Sequence, residues 1–261
     1  MEGCEGQMLD YRLSPEALVM VQGSSRGTQP KYYDKGYWYK VNRVGYEGLS
    51  ERLVSIVLKH SNVQKFVEYE QCTINGRGGC RSKNFLQTGE SFLSFQRLYE
   101  LYTGENLQEK MVVFSGVEDR MGFVKDYIME TTGFDCSKYL SQILTLDMLT
   151  LNTDRHFNNL GLIVNGDTKT YSAAPIFDNG NSLLSDWEKF SEDTLEENID
   201  LARSQPFSSS FGLQAKCAGF GLALDYDALL SELTQEPDSR ALQVLLYQLE
   251  HCRGMIPEFE R

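Results

Sequence analysis

The chain has 261 residues with 25 basic and 37 acidic side chains, a net charge of −12, and that balance argues against binding the phosphate backbone of nucleic acid as its main job. Its length suits one large domain or two lobes sharing a cleft. A composition with 41% hydrophobic residues excludes a disordered or collagen-like chain.

The six cysteines, Cys4, Cys72, Cys80, Cys136, Cys217 and Cys252, are scattered, with no C-x-x-C pair and no histidine at ligand spacing. Neither a zinc site nor a disulfide framework is expected, and reduced thiols in a cytoplasmic compartment fit. The first residues, MEGCEGQMLDYRLS, lack the charged-then-apolar run of a signal peptide, and no apolar stretch is long enough to span a bilayer. The expectation is a soluble, cytoplasmic protein without a membrane or direct nucleic-acid partner.

Residues 11–21 (YRLSPEALVMV) give mixed local signals, and their secondary structure stays open. Residues 23–31 (GSSRGTQPK) form a small-residue loop with Gly23, Ser24, Ser25, Gly27 and Thr28 beside the basic Arg26 and Lys31. Glycine lets backbone approach a phosphate closely, and successive N–H groups then make an anion-binding concavity. Alone, such a loop reads equally well as a surface turn, and it lacks the G-K-[ST] ending of a Walker motif.

Residues 32–41 (YYDKGYWYKV) predict a hairpin, with aromatic strand residues on either side of an Asp34-Lys35-Gly36 turn. Lys40 lies near the end of its second strand. A helix follows, with Leu49, Leu53, Val54 and Val57 at helical spacing and Glu47 and Glu51 near its start. A strand lysine paired with an acidic residue on the next helix holds nucleotide phosphates in kinases. Glu47 is the chosen partner, with Glu51 in reserve. Residues 63–74 predict a strand ending at the strong Asn75-Gly76 turn signal, and residues 80–86 another extended segment. With two lobes, the chain crosses between them near residues 82–86, where Asn84 and Phe85 would meet an adenine edge.

Residues 91–102, 117–131 and 137–151 predict helices. In the last, Leu140, Ile143, Leu144, Asp147, Met148 and Leu151 mark one side. That helix leads into TDRHFNN, which sets Asp154, His156 and Asn159 close together. Residues 160–164 then read as a buried strand, Asn165-Gly166-Asp167 as its turn and 168–173 as the returning strand. The hairpin would bring Asp178, in PIFDNG, back towards Asn159. A base followed by two oxygen ligands is what phosphoryl transfer with a magnesium ion requires. The remaining residues, 186–261, hold an acidic run over 187–200, read as a solvated face, a serine-rich break at 208–210 and a helix over 240–253.

TDRHFNN followed by PIFDNG is similar to the catalytic and metal-binding segments of HipA-like serine/threonine kinases, and GSSRGTQPK resembles that family's glycine-rich loop. The resemblance implies an α+β, two-lobed protein-kinase-like fold, with a small β-rich lobe over residues 1–86 and a mostly helical lobe over 87–261. It implies ATP and Mg²⁺ as cofactors, Asp154 as catalytic base, Asn159 and Asp178 as Mg²⁺ ligands, and Lys40 on the ATP phosphates. His156 takes the place of the family's loop histidine, with a structural or substrate-loop role. The family also autophosphorylates a loop serine, here Ser24 or its neighbour Ser25. The chain is expected to be a compact, stand-alone member without the extra N-terminal subdomain of toxin-type HipA. Binding to a HipB-like antitoxin is therefore not carried over, and an antitoxin-like partner stays open beside a protein substrate. Two other readings compete: a phosphoinositide or small-molecule kinase of related fold, and a non-catalytic nucleotide-binding module.

Overall fold

The computed structural model describes residues 9–19, 29–190 and 194–259. Its first part is a six-stranded sheet. Strands β1 (Asp10–Tyr11), β2 (Leu18–Val19), β3 (Lys31–Asp34) and β4 (Tyr37–Val41) precede helix α1 (Glu47–Lys59), and β5 (Glu70–Ile74) and β6 (Arg77–Lys83) follow it. The strand order is β1-β5-β6-β4-β3-β2, antiparallel except for the parallel pair β1 and β5. Both hairpins expected in this sheet form. Their turns place Lys35 and Gly36, and Asn75 and Gly76, at positive φ, the mirror-image turn whose twist matches that of the flanking strands.

Side chains alternate across β4. Tyr39 and Val41 join Cys72 and Ile74 in a small cluster with Tyr11, while Lys40 meets Glu51 of α1. Helix and sheet approach through glycine. A Cβ on Gly48 of α1 would lie 2.6 Å from the Gly79 backbone of β6, and one on Gly79 would lie 2.2 Å from the Lys40 carbonyl oxygen. No side chain fits at this crossing.

The second part contains β7 (Glu90–Ser94), α2 (Phe95–Thr103), α3 (Leu107–Lys110), α4 (Val117–Thr132), α5 (Ser137–Thr150), β8 (Gly161–Asn165), β9 (Thr170–Ala173), α6 (Leu195–Leu201), α7 (Phe211–Ala218), α8 (Tyr226–Leu233) and α9 (Arg240–Cys252). Strands β7, β8 and β9 form a separate antiparallel sheet. The main core joins α1, through Leu53, Val54 and Val57, to Leu140, Ile143 and Leu144 of α5 and to Val244 and Leu245 of α9. Among the described residues, no helix is long and apolar enough to cross a membrane.

Two expectations are corrected. Only residues 70–74 of the expected 63–74 strand are a strand in the sheet. Further upstream, Val67 N–H donates to the Ile176 carbonyl and Ile176 N–H to the Lys65 carbonyl, so this stretch pairs with the segment before Asp178 instead. The helix expected from residue 91 starts at Phe95, because Ser94 caps it by accepting the Arg97 N–H, and the residues before it pair with β8. Apolar residues at helical spacing ran continuously through a strand–helix junction.

Candidate active site

Lys40 is the centre of a buried polar group. Its Nζ lies 2.6 Å from Glu51 Oε1 and 2.7 Å from Asp178 Oδ1. It also donates to the Tyr69 hydroxyl at 3.4 Å and sits 4.9 Å from the centroid of that ring. Burial alone would discharge this lysine, but the Asp178 and Glu51 carboxylates outweigh it and hold the ammonium well above its ordinary pKa. Burial would likewise raise Asp178, yet Lys40 and Lys31 hold its carboxyl far below the usual range. Lys31 Nζ is 4.0 Å from Asp178 Oδ2. Burial pushes Glu51 up, opposed by Lys40. Its second oxygen accepts the Asn179 N–H at 2.8 Å.

The lysine's partner is therefore Glu51, and the expected pairing with Glu47 is corrected. Glu47 opens α1 and turns its carboxylate back over the preceding loop, accepting the N–H groups of Arg43, Val44 and Gly45 at 3.0 to 3.3 Å. An anion there satisfies free amides and suits the positive end of the helix dipole. One turn later, Glu51 faces the strand.

Asp154, His156 and Asn159 lie in the loop between α5 and β8. Leu151, in the left-handed conformation, ends the helix, and Asn152 Oδ1 accepts the Asp154 N–H at 3.0 Å. Asp154 Oδ2 accepts from Asn181 Nδ2 at 3.2 Å and Oδ1 from Gln205 Nε2 at 3.3 Å. Burial raises the Asp154 carboxyl; His156 works against that, and the Asp178 charge adds to it, so the two carboxylates feel each other. Asn159 is buried. Its N–H donates to the His156 carbonyl at 2.8 Å and its Nδ2 to the Asp154 carbonyl at 3.4 Å. Its Oδ1 accepts no hydrogen bond from a described residue. His156 Nδ1 is buried and without a partner among the described residues.

The loop hangs on a residue that the sequence reading passed over. Arg155, with no exposed surface, bonds Asp147 of α5 through Nε at 3.0 and 3.2 Å and through Nη2 at 3.0 Å. It also donates to the Phe177 carbonyl at 2.7 Å and to Asn179 Oδ1 at 2.6 Å. One guanidinium thus ties α5 and the Asp154 loop to both neighbours of Asp178. The available signal was Asp147, an acid on a leucine-lined helix face, since a buried carboxylate requires a cation.

At the crossing between the two parts, Asn84 N–H donates to the Gly36 carbonyl at 2.8 Å, and its Oδ1 accepts from Trp38 Nε1 and Leu86 N–H, each at 3.4 Å. Phe85 lies against Phe92 and Phe177, with ring centroids 6.2 and 5.5 Å away. The expected phosphate-loop residues Gly23, Ser24, Ser25, Gly27 and Thr28 lie outside the described residues.

Among the described residues there is no group of three or more His, Cys, Asp or Glu able to hold a metal ion. The ligands that the family resemblance implies are one ionised carboxylate, Asp178, and the amide oxygen of Asn159, which accepts no hydrogen bond from a described residue. An all-oxygen pair of this kind fits Mg²⁺, which keeps much of its water and shares its shell with phosphate instead of sitting in a protein cage.

No protein-family model matches the chain, and no curated protein matches it significantly. Among solved structures, the fold is similar to that of the Helicobacter pylori proinflammatory kinase CtkA, with a TM-score of 0.64, 16% identity and 95% of both chains covered. The HipA, HipB and operator DNA complex of Shewanella oneidensis MR-1 also matches, with a TM-score of 0.47 and 14% identity over 95% of this chain and 62% of that one. The chain has an α+β, kinase-like fold.

Proposed function

We propose that the chain is an ATP- and Mg²⁺-dependent kinase that transfers the γ-phosphoryl group to a Ser or Thr hydroxyl of a protein. One observation carries the reading: a charged lysine held at 2.6 Å from a helix glutamate and 2.7 Å from Asp178, with Asp154 in electrostatic reach of Asp178. Phosphoryl transfer is catalysed almost wholly by positioning and charge stabilisation. Lys40, kept in place by Glu51, offers its charge to the nucleotide's phosphates, with Lys31 beside it. Asp178 and Asn159 would hold the Mg²⁺, which neutralises phosphate charge when bound. Asp154 orients the acceptor hydroxyl and takes its proton. Residues 1–86 and 87–261 act as two lobes about this site, and the Phe85–Phe92–Phe177 cluster forms an apolar wall for the base.

A net charge of −12 disfavours the anionic headgroup of a phosphoinositide as acceptor, and a protein hydroxyl is the acceptor that the family resemblance favours. Radiolabelled ATP with the purified chain and its D154N and D178N variants tests the mechanism. Each substitution is expected to lower transfer by about 10²–10⁴-fold, and equal labelling by all three proteins overturns it. Phosphopeptide mapping of the labelled chain tests Ser24 and Ser25 as its own acceptors.

A further inference from the structure

Gln205 is remote from Asp154 in sequence, in the segment between α6 and α7, yet its side chain is aimed at that carboxylate. Its Nε2 donates to the Thr153 carbonyl at 2.9 Å and to Asp154 Oδ1 at 3.3 Å. The first bond orients the amide and the second uses its other hydrogen. Asn181 closes from the other side. Its Nδ2 donates to Asp154 Oδ2 at 3.2 Å, and its carbonyl accepts the Thr153 N–H at 3.0 Å. Each carboxylate oxygen thus carries one neutral donor, from two separate stretches of chain.

The turn presenting Gln205 is fastened at its backbone. The Gln205 carbonyl accepts from Gln214 of α7 at 3.3 Å, and the Phe207 carbonyl from Arg120 of α4 at 2.8 Å. Ser204 Oγ donates to the Ser208 carbonyl at 2.7 Å. The buried Phe207 ring packs edge-on against Phe157 of the Asp154 loop, 5.4 Å between centroids. With its backbone so held, the turn keeps Gln205 beside the Asp154 loop, and the bond to the Thr153 carbonyl orients its amide.

We propose that Gln205 is a positioning residue: with Asn181 it fixes the plane of the Asp154 carboxylate, so that the remaining lone pairs meet the acceptor hydroxyl. The inference rests on Asp154 being the base of the proposed kinase. A carboxylate free to rotate would spend much of its time out of line, and misplacement of a reacting group is costly in rate.

The test uses the full chain with radiolabelled Mg-ATP, reading kcat and the KM for ATP, with melting temperature alongside. Q205M keeps the side chain's length and volume but has no donor. It is expected to lose about ten- to a hundredfold in kcat, as fits removal of a hydrogen bond to a charged group, while KM stays within about twofold and the melting temperature falls only slightly, through loss of the bond to the Thr153 carbonyl. Q205E, of the same shape but with a like charge facing Asp154, is expected to lose at least as much kcat. Unaltered kcat in Q205M overturns the inference, and so does a loss appearing in KM or melting temperature instead of kcat, which would mark a packing role. D154N separates the two levels: with D154N inactive and Q205M unimpaired only the role of Gln205 falls, whereas a fully active D154N removes the kinase reading and this inference together.

Discussion

Glu47 and Glu51 stand one turn apart on α1, and their carboxylates do different work. Glu47 accepts three loop amides at the helix start, whereas Glu51 joins Lys40 and the Asn179 N–H. E51Q is expected to lower phosphoryl transfer by about tenfold or more, since it removes the charge that steadies the lysine. E47Q is expected to leave transfer within about twofold and to cost about 0.3–1 kcal/mol of stability through the helix dipole. Initial rates and thermal melts of both variants check this, and the reverse pattern would return the catalytic role to Glu47. The sequence shows two acids at the start of a helix facing a lysine strand. It does not show that the first is occupied by the amides of its own loop, because that depends on the path of residues 43–46. Arg155 was hidden for a related reason: read as one of several polar loop residues, it shows its role only once Asp147 is seen to have no other cation.

Helix α1 is anchored to α8 and the turn after it. Lys59 Nζ and His60 Nε2 meet Glu232 at 2.8 and 2.6 Å, and Arg52 bonds Glu236 through two nitrogens at 2.6 and 3.0 Å. Burial would raise Glu232, but the bonds from Lys59 and His60 outweigh it, and the carboxyl is held below its ordinary value. A depressed carboxyl stabilises the fold above its unfolded pKa of about 4.3, and that contribution is lost as pH falls through the folded value. The melting temperature of E232Q is therefore expected to lie below that of the unaltered chain at neutral pH, with the gap closing under acid. A gap independent of pH would show that the charge is not involved. The elements themselves were mostly legible. Both hairpins of the six-stranded sheet turn at a glycine, which takes positive φ freely, α4, α5 and α9 fall close to the expected bounds, and α1 covers the apolar positions predicted for it. The failures at residues 63–69 and 91–94 have one cause: short apolar segments whose partners are distant strands look alike until those partners are known.

Across the molecule, the polar groups join into one buried chain. Asp147 holds Arg155, Arg155 holds Asn179, the Asn179 N–H meets Glu51, Glu51 holds Lys40, and Lys40 holds Asp178. It runs from the helical part to the six-stranded sheet. Removing a partner from a fully buried ion pair leaves an uncompensated charge, so R155M is expected to lose about 3–5 kcal/mol of stability, read from denaturant midpoints. A loss well under about 1 kcal/mol would place the guanidinium outside the structural framework. The α+β plan was expected from the family resemblance and agrees with the order of hairpins and helices, and the approach of the Asp178 segment to the Asp154 loop could be read from the intervening hairpin. The linkage through Arg155, Asn179, Asn181 and Gln205 could not, since it joins residues whose spacing in sequence follows no period.

The glycines where α1 crosses β6 have a further meaning. Backbone lies almost directly on backbone at Gly48 and Gly79, so the reach from Lys40 to Glu51 is gauged by the thickness of two bare main chains. A methyl group on Gly48 would act as a shim, lifting the helix from the sheet and parting an ion pair in which that glycine takes no part. The spacing of that ion pair is thus set at a point with no functional groups, where an alanine would be felt as a change in electrostatics.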